Sequence, residues 1–224
     1  MTRITLTATD SHQFEAVTAG TPTDAKGGVV ILQEIFGLNP HIRSLPARYA
    51  EAGYYAVAPA LFDRAEANVS LDYNANGKTR GLALKAAVDA TVLEDVAAAT
   101  TAAAAAGPVA IIGFCWGGSL AWRAATSRHD LAAAIAYYGG ELPKLAAATA
   151  HCPVLAHFGE HDASIPMEGV AAFTDAQSDA TPPVSIHTYD ADHGFNCDAR
   201  GQYKADAAAL AHDRTLAFLQ KHMG

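Results

Sequence analysis

The chain has 224 residues, half of them apolar, and a formal charge of −8 at a sequence pI near 5.6. That length fits one domain, residues 1–224, whose core buries about 70% of the unfolded surface without disulfide support. The acidic balance, with no lysine or arginine cluster, argues against a nucleic-acid or anionic-membrane partner and points to a small molecule. Met1-Thr2-Arg3-Ile4-Thr5-Leu6 has no apolar signal core, and the alanine-rich residues 97–106 are cut by Gly107-Pro108, so no membrane span is expected. Cys115, Cys152 and Cys197 are odd in number and lack C-x-x-C spacing, which fits free thiols in a reducing cytoplasm. A cytoplasmic monomer or weak homo-oligomer is the expectation.

In chain order, residues 4–8 alternate apolar and polar, Asp10-Ser11-His12 reads as a turn, and residues 14–17 continue as a second strand, which predicts an N-terminal antiparallel hairpin. Residues 28–32 form a continuous apolar run, as expected of a parallel strand covered on both faces. Gln33-Glu34-Ile35-Phe36-Gly37 follows, so Glu34 is carried to the C-terminal edge of that strand, where open α/β sheets place ligands; a solvated loop acid is the alternative. Residues 41–52 read as a helix with Pro46 near its first turn, and residues 54–58 as a strand. A polar segment runs to about Lys78, long enough for residues 63–78 to cover a site. Residues 79–106 read as helical, 109–112 as a strand, and 119–125 as a helix. The pattern then repeats: strand 132–138, a short helix after Pro143, strand 153–158, helix 167–178, strand 184–189, and a final helix over about 201–222. Alternation over this length implies an α/β fold with a mostly parallel central sheet and helices on both faces.

Gly113-Phe114-Cys115-Trp116-Gly117-Gly118 is a strand, a tight turn and a helix start with a thiol at the tip. Glycines two before and two after Cys115 remove side chains that would clash in such a turn, so G-x-C-x-G reads as a nucleophile elbow with sulfur in place of oxygen. A glycine-rich phosphate turn and a merely buried thiol are the alternatives; neither G-x-G-x-x-G nor G-K-[ST] is present. Asp162 follows the strand 153–158 and His193 the strand 184–189, which brings both to the same sheet edge as Cys115 in the order nucleophile, acid, histidine. A thiol of ordinary pKa near 8.5 is mostly protonated at neutral pH and needs a base; His193 would take the proton and Asp162 would orient the imidazole. Glu160, Asp190 and Asp192 are rival acids, and His157 and His161 rival bases. His193 and Cys197 lie four apart, but Gly194 disfavours a helix between them and no H-E-x-x-H or cysteine quartet is present, so neither a metal nor a cofactor is expected.

Together with Tyr137-Tyr138-Gly139, residues 159–162 and His193-Gly194-Phe195, these motifs resemble the dienelactone hydrolase family over residues 28–218. The resemblance implies an α/β-hydrolase fold and hydrolysis of a lactone or ester, of the carboxymethylenebutenolide type, through a thioester on Cys115. It implies His193 as base, Asp162 as orienting acid, and Glu34 as the family's active-site glutamate, displaced by an anionic substrate and then accepting the thiol proton. It also implies an oxyanion hole made of the backbone N–H groups of Ile35 and Trp116. Phe36, Arg80, Tyr138, Phe195 and Cys197 are candidate substrate contacts.

The sequence departs from the family at Cys197, where the resemblance implies an arginine that holds the substrate carboxylate. Lys78 and Arg80 lie near the family's second arginine, and Arg200 is a further cation in reach. A neutral-ester carboxylesterase on the same triad is therefore one alternative, and a thiol redox sensor pairing Cys115 with Cys197 is another.

Overall fold

The computed structural model describes residues 1–224, which fall into two compact units, Met1–Ile111 and Ile112–Gly224. In the first unit, β1 (Thr2–Thr7) and β2 (Gln13–Ala19) form the expected antiparallel hairpin, with Thr7 opposite Gln13. Its turn is tied by the Asp10 carboxylate, which accepts from the His12 amide at 3.1 Å, while Ser11 takes a φ of 69°. Leu6 and Phe14 face inward, as the period-two pattern requires. Next come β3 (Gly28–Leu32) and α1 (Pro40–Glu51), then β4 (Tyr55–Pro59). β3 and β4 are parallel and buried at every residue, and β2 lies antiparallel on β4. Continuous apolar runs are what two-sided burial demands.

Several helical boundaries differ from expectation. Asn39 caps α1 by accepting from the Ile42 amide at 3.1 Å and Pro40 takes the first helical position, so the helix starts early and Pro46 lies inside it, buried, rather than in its first turn. The residues read as one helical stretch divide into α2 (Ala75–Val88) and α3 (Val92–Ala103), because Thr91 leaves helical geometry and Glu94 and Asp95 occupy a new first turn. The polar segment is correspondingly shorter, since Asn74 caps α2 through the Gly77 amide at 2.8 Å. α3 presents Val96, Ala99 and Ala103 to β3 and β4.

Arg64 locks this unit. Its guanidinium binds Asp95 through two bonds, at 2.7 and 2.8 Å, and Asp10 at 2.5 Å, joining the hairpin turn to α3. The hydrogen bond from Arg64 and that from the His12 amide hold the Asp10 carboxyl down at about 2. Burial pushes the Asp95 carboxyl up, with Arg64 opposing that shift.

The second unit holds the second half of β5 (Val109–Phe114), followed by α4 (Trp116–Ser127), β6 (Ala133–Tyr137), β7 (Val154–Gly159), α5 (Met167–Ala176), β8 (Val184–Tyr189) and α6 (Ala205–Met223). β6, β7 and β8 are mutually parallel, with Tyr137 opposite His157 and His157 opposite His187. The short helix after Pro143 is a single 3-10 turn, Pro143–Leu145. α6 begins at Ala205, later than expected, because residues 194–204 form turns beside the candidate site. The sheet has the strand order β1-β2-β4-β3-β5-β6-β7-β8. It is the mostly parallel mixed sheet of an α/β hydrolase, with the antiparallel hairpin at its edge. No helix is long and apolar enough to cross a membrane.

Candidate active site

β5 delivers the nucleophile elbow. Cys115 has φ 56° and ψ −114°, a conformation that costs a non-glycine residue on the order of 1–3 kcal/mol and persists only where the surroundings impose it. The turn is imposed by close packing. A Cβ at Gly113 would overlap the Gly117 carbonyl, and one at Gly118 would come within 2.6 Å of the Tyr137 carbonyl. That carbonyl accepts the Cys115 amide at 2.9 Å, and the Cys115 carbonyl accepts from Ser119 at 3.2 Å as α4 begins.

Asp162 follows β7 and His193 follows β8. His193 Nδ1 meets Asp162 Oδ2 at 2.6 Å, and the ring also hydrogen-bonds the Cys115 side chain. The other carboxylate oxygen of Asp162 accepts the Ser164 amide at 2.8 Å, so a fully buried acid side chain is held at both oxygens. Burial works to lower the imidazole pKa, but the hydrogen bonds to Asp162 and Cys115 and the accompanying charges outweigh it and raise the value from 6.5 to about 10. The carboxylate and the sulfur on either side of the ring thus both favour its protonated form. An imidazole of that strength is a better base than an ordinary thiolate, whose pKa is near 8.5.

The rival groups are engaged elsewhere. His161 Nε2 bonds Asp190 at 2.6 Å at the surface, Glu160 accepts from Thr188 at 2.9 Å, and Asp192 accepts the His193 amide at 2.6 Å. His157 is fully buried between Tyr189 and Thr215.

The aromatic candidates of this unit stand behind the imidazole. The Tyr138 ring lies 5.0 Å from that of His193 and 5.5 Å from that of Phe195, and both aromatic residues are fully buried. Cys197 is likewise fully buried, and none of the three cysteines is in a disulfide. Arg200 lies along Gly194, whose φ is 81°, so closely that a side chain at position 194 would collide with the guanidinium. A cation thus lies beside the residue that follows His193.

In the first unit, Glu34 is fully buried and accepts a 2.6 Å hydrogen bond from the Tyr73 hydroxyl. Phe36 meets the Tyr73 ring edge-on at 4.6 Å, and its carbonyl accepts from Leu71 at 2.9 Å. Gly37 pairs with Ser70, and α2 approaches so closely that a Cβ at Gly81 would overlap the Ile35 carbonyl. The segment 33–37 is thus clamped by residues 69–73 and by α2. Arg80 is exposed and hydrogen-bonded to Glu66, and Lys78 is exposed. Tyr73 was not legible as a functional residue; its only signal was its place in the polar segment following β4.

The dienelactone hydrolase family model matches residues 14–223. A carboxymethylenebutenolidase of Pseudomonas putida is 32% identical over 226 residues, covering 96% of this chain and 94% of the relative. A Synechocystis sp. protein provisionally assigned the same activity is 35% identical over 213 residues, 87% of this chain and 86% of its own length. Among solved structures, a provisionally assigned dienelactone hydrolase from Klebsiella pneumoniae superposes with a TM-score of 0.84 at 33% identity, covering 99% of this chain and 100% of that one. A family match over nearly the whole chain, together with relatives above 30% identity along most of their lengths, carries one conclusion: the chain belongs to the dienelactone hydrolase family and is a carboxymethylenebutenolidase-like hydrolase.

Proposed function

We propose that the enzyme cleaves a lactone or ester through a thioester on Cys115, with His193 as base and Asp162 as its orienting acid. The observation that carries this reading is the imidazole held by Asp162 at 2.6 Å and hydrogen-bonded to a cysteine in a strained turn at a helix N-terminus. The imidazole takes the thiol proton, and the thiolate attacks the carbonyl carbon. The developing oxyanion is received by backbone amides, that of Trp116 at the head of α4 and that of Ile35 by family resemblance. The imidazolium protonates the departing enolate or alkoxide, and water deprotonated by His193 then releases the acid and restores the thiol. Glu34 is assigned as the family's glutamate. A carboxylate acting on a thiol disfavours a second negative charge, so Glu34→Gln is expected to raise the rate of Cys115 alkylation by iodoacetamide at neutral pH. Equal rates in the two proteins would remove Glu34 from this role.

For the substrate, we assign the carboxylate-binding cation to Arg200. Cys197 is buried, whereas the Arg200 guanidinium lies beside Gly194, next in the chain to His193. Steady-state hydrolysis of a carboxylated dienelactone beside p-nitrophenyl acetate tests this. The wild type is expected to favour the dienelactone in kcat/KM by at least about tenfold, and Arg200→Gln to lose most of that preference through KM, as a lost charge-assisted contact would require. Turnover of the neutral ester alone would instead mean that the pocket does not recognise a carboxylate.

A further inference from the structure

A file of buried polar groups runs below the nucleophile turn, and none of them takes part in the proposed chemistry. The Tyr189 hydroxyl meets His157 Nδ1 at 2.8 Å, and His157 Nε2 meets Thr215 Oγ1 at 3.2 Å. Thr215 Oγ1 meets the Tyr137 hydroxyl at 2.6 Å, and that hydroxyl reaches the Ala211 carbonyl at 3.1 Å. His157, Thr215 and Tyr137 are buried to within 1% of full enclosure. The file joins β6, β7, β8 and α6.

Its proton positions follow from one end. The Ala211 carbonyl can only accept, so the single Tyr137 hydroxyl proton points to it. The Thr215 hydroxyl proton must then go to the Tyr137 oxygen, and Thr215 accepts from His157 Nε2–H. This leaves Nδ1 of a neutral ring to accept from Tyr189. The Tyr189 oxygen in turn accepts from Arg214, whose guanidinium lies 5.3 Å over the tyrosine ring. Every donor has one acceptor, and a second proton on His157 would leave Nδ1–H facing the Tyr189 hydroxyl proton.

The groups facing His157 agree with a neutral ring. Tyr137 packs at 4.5 Å from β6, Tyr189 at 5.6 Å and His187 at 6.1 Å from β8, and Arg214 lies on α6. Burial lowers the His157 pKa well below 6.5, and the charges of His187 and Arg214 act in the same direction.

The residues so held are the ones that touch the reacting groups. His157 lies opposite Tyr137 across β6 and β7, and its carbonyl accepts the Tyr138 amide at 2.7 Å. Tyr137 offers its carbonyl to the Cys115 amide, while Tyr138, at the unfavourable φ of 40°, lays its ring against His193. A non-glycine residue in that conformation needs restraint from its surroundings. We infer that His157 and Thr215 are positioning residues: by gripping the Tyr137 hydroxyl and the Tyr138 amide together, they hold the turn that sets the Cys115 backbone and the His193 ring in register.

The inference rests on the Cys115–His193 reading, and its test separates the two. Thr215→Val keeps the shape and removes the hydroxyl, whereas Thr215→Ser keeps the hydroxyl. Thr215→Val is expected to lower kcat for p-nitrophenyl acetate and the rate of Cys115 alkylation by about tenfold, with KM within about twofold, and Thr215→Ser to restore both. Imidazole ¹⁵N spectra of the wild type should show His157 neutral, with the proton on Nε2, from about pH 5.5 to 9. Wild-type kcat and alkylation in Thr215→Val, equal losses in Thr215→Ser, or a His157 ring charged or protonated on Nδ1 would each overturn the inference. Should the wild type lack Cys115-dependent ester turnover, the proposed function falls, while the alkylation rates and the ¹⁵N spectra still decide this one. Should Thr215→Val fail to fold, the wild-type spectra decide alone.

Discussion

Cys115→Ala is expected to abolish ester and lactone turnover, lowering kcat by about 10³-fold or more while KM changes little, because the sulfur forms a bond to substrate only after binding. Residual activity comes from groups that bind the carbonyl and the oxyanion without a nucleophile. Rapid quenching of the wild type with p-nitrophenyl acetate should yield a protein heavier by one acetyl group, located at Cys115 by peptide mapping and absent from the alanine variant. Folding should survive, since the replacement is smaller and Cys115 is incompletely buried. The strained turn is set by Gly113, Gly117 and the Tyr137 carbonyl rather than by sulfur. Undiminished turnover in a folded Cys115→Ala protein would rule out the thioester.

Asp162→Asn is the second large effect. An amide keeps the size of the acid but cannot stabilise an imidazolium, and it can present its NH₂ group to Nδ1 and so favour the wrong tautomer, which costs a comparable triad about 10⁴-fold. A kcat loss on the order of 10²- to 10⁴-fold is expected here, with a displaced pH profile. In the wild type the Asp162 carboxylate favours the imidazolium that would protonate the leaving group, so the alkaline limb of kcat should lie above the ordinary imidazole range. Without Asp162 that limb should move toward lower pH. Stability follows the same sign. The folded value lies above the reference value of 6.5, so the stabilisation is complete below about pH 6.5 and is lost as pH rises through about 10. The wild type should therefore melt at progressively lower temperature across that window, and Asp162→Asn should show a weaker dependence. An alkaline limb unmoved by the substitution would mean that Asp162 does not govern the protonation of His193.

Local chemistry was enough to place the parts. Val29 to Leu32 and Val109 to Ile112 are apolar without interruption, as a strand covered on both faces requires, residues 4–8 alternate, and Gly113 marks a turn where a Cβ would overlap the Gly117 carbonyl. From those signals came the hairpin, the parallel strands, the elbow, and the edge on which Cys115, Asp162 and His193 stand. Helix ends were less legible, because a cap such as Asn39 overrides the signal of a proline seven residues later. What the sequence could not carry was partnership between residues remote in the chain. Tyr73 reaches Glu34 across 39 positions, His157 reaches Thr215 across 58, and Arg200 reaches Gly194 only because residues 194–204 fold back on themselves. Apolar period and glycine sterics act within a few residues and can be read in order. A hydrogen bond between buried side chains is decided by which strands and helices pack together, and that choice belongs to the tertiary structure.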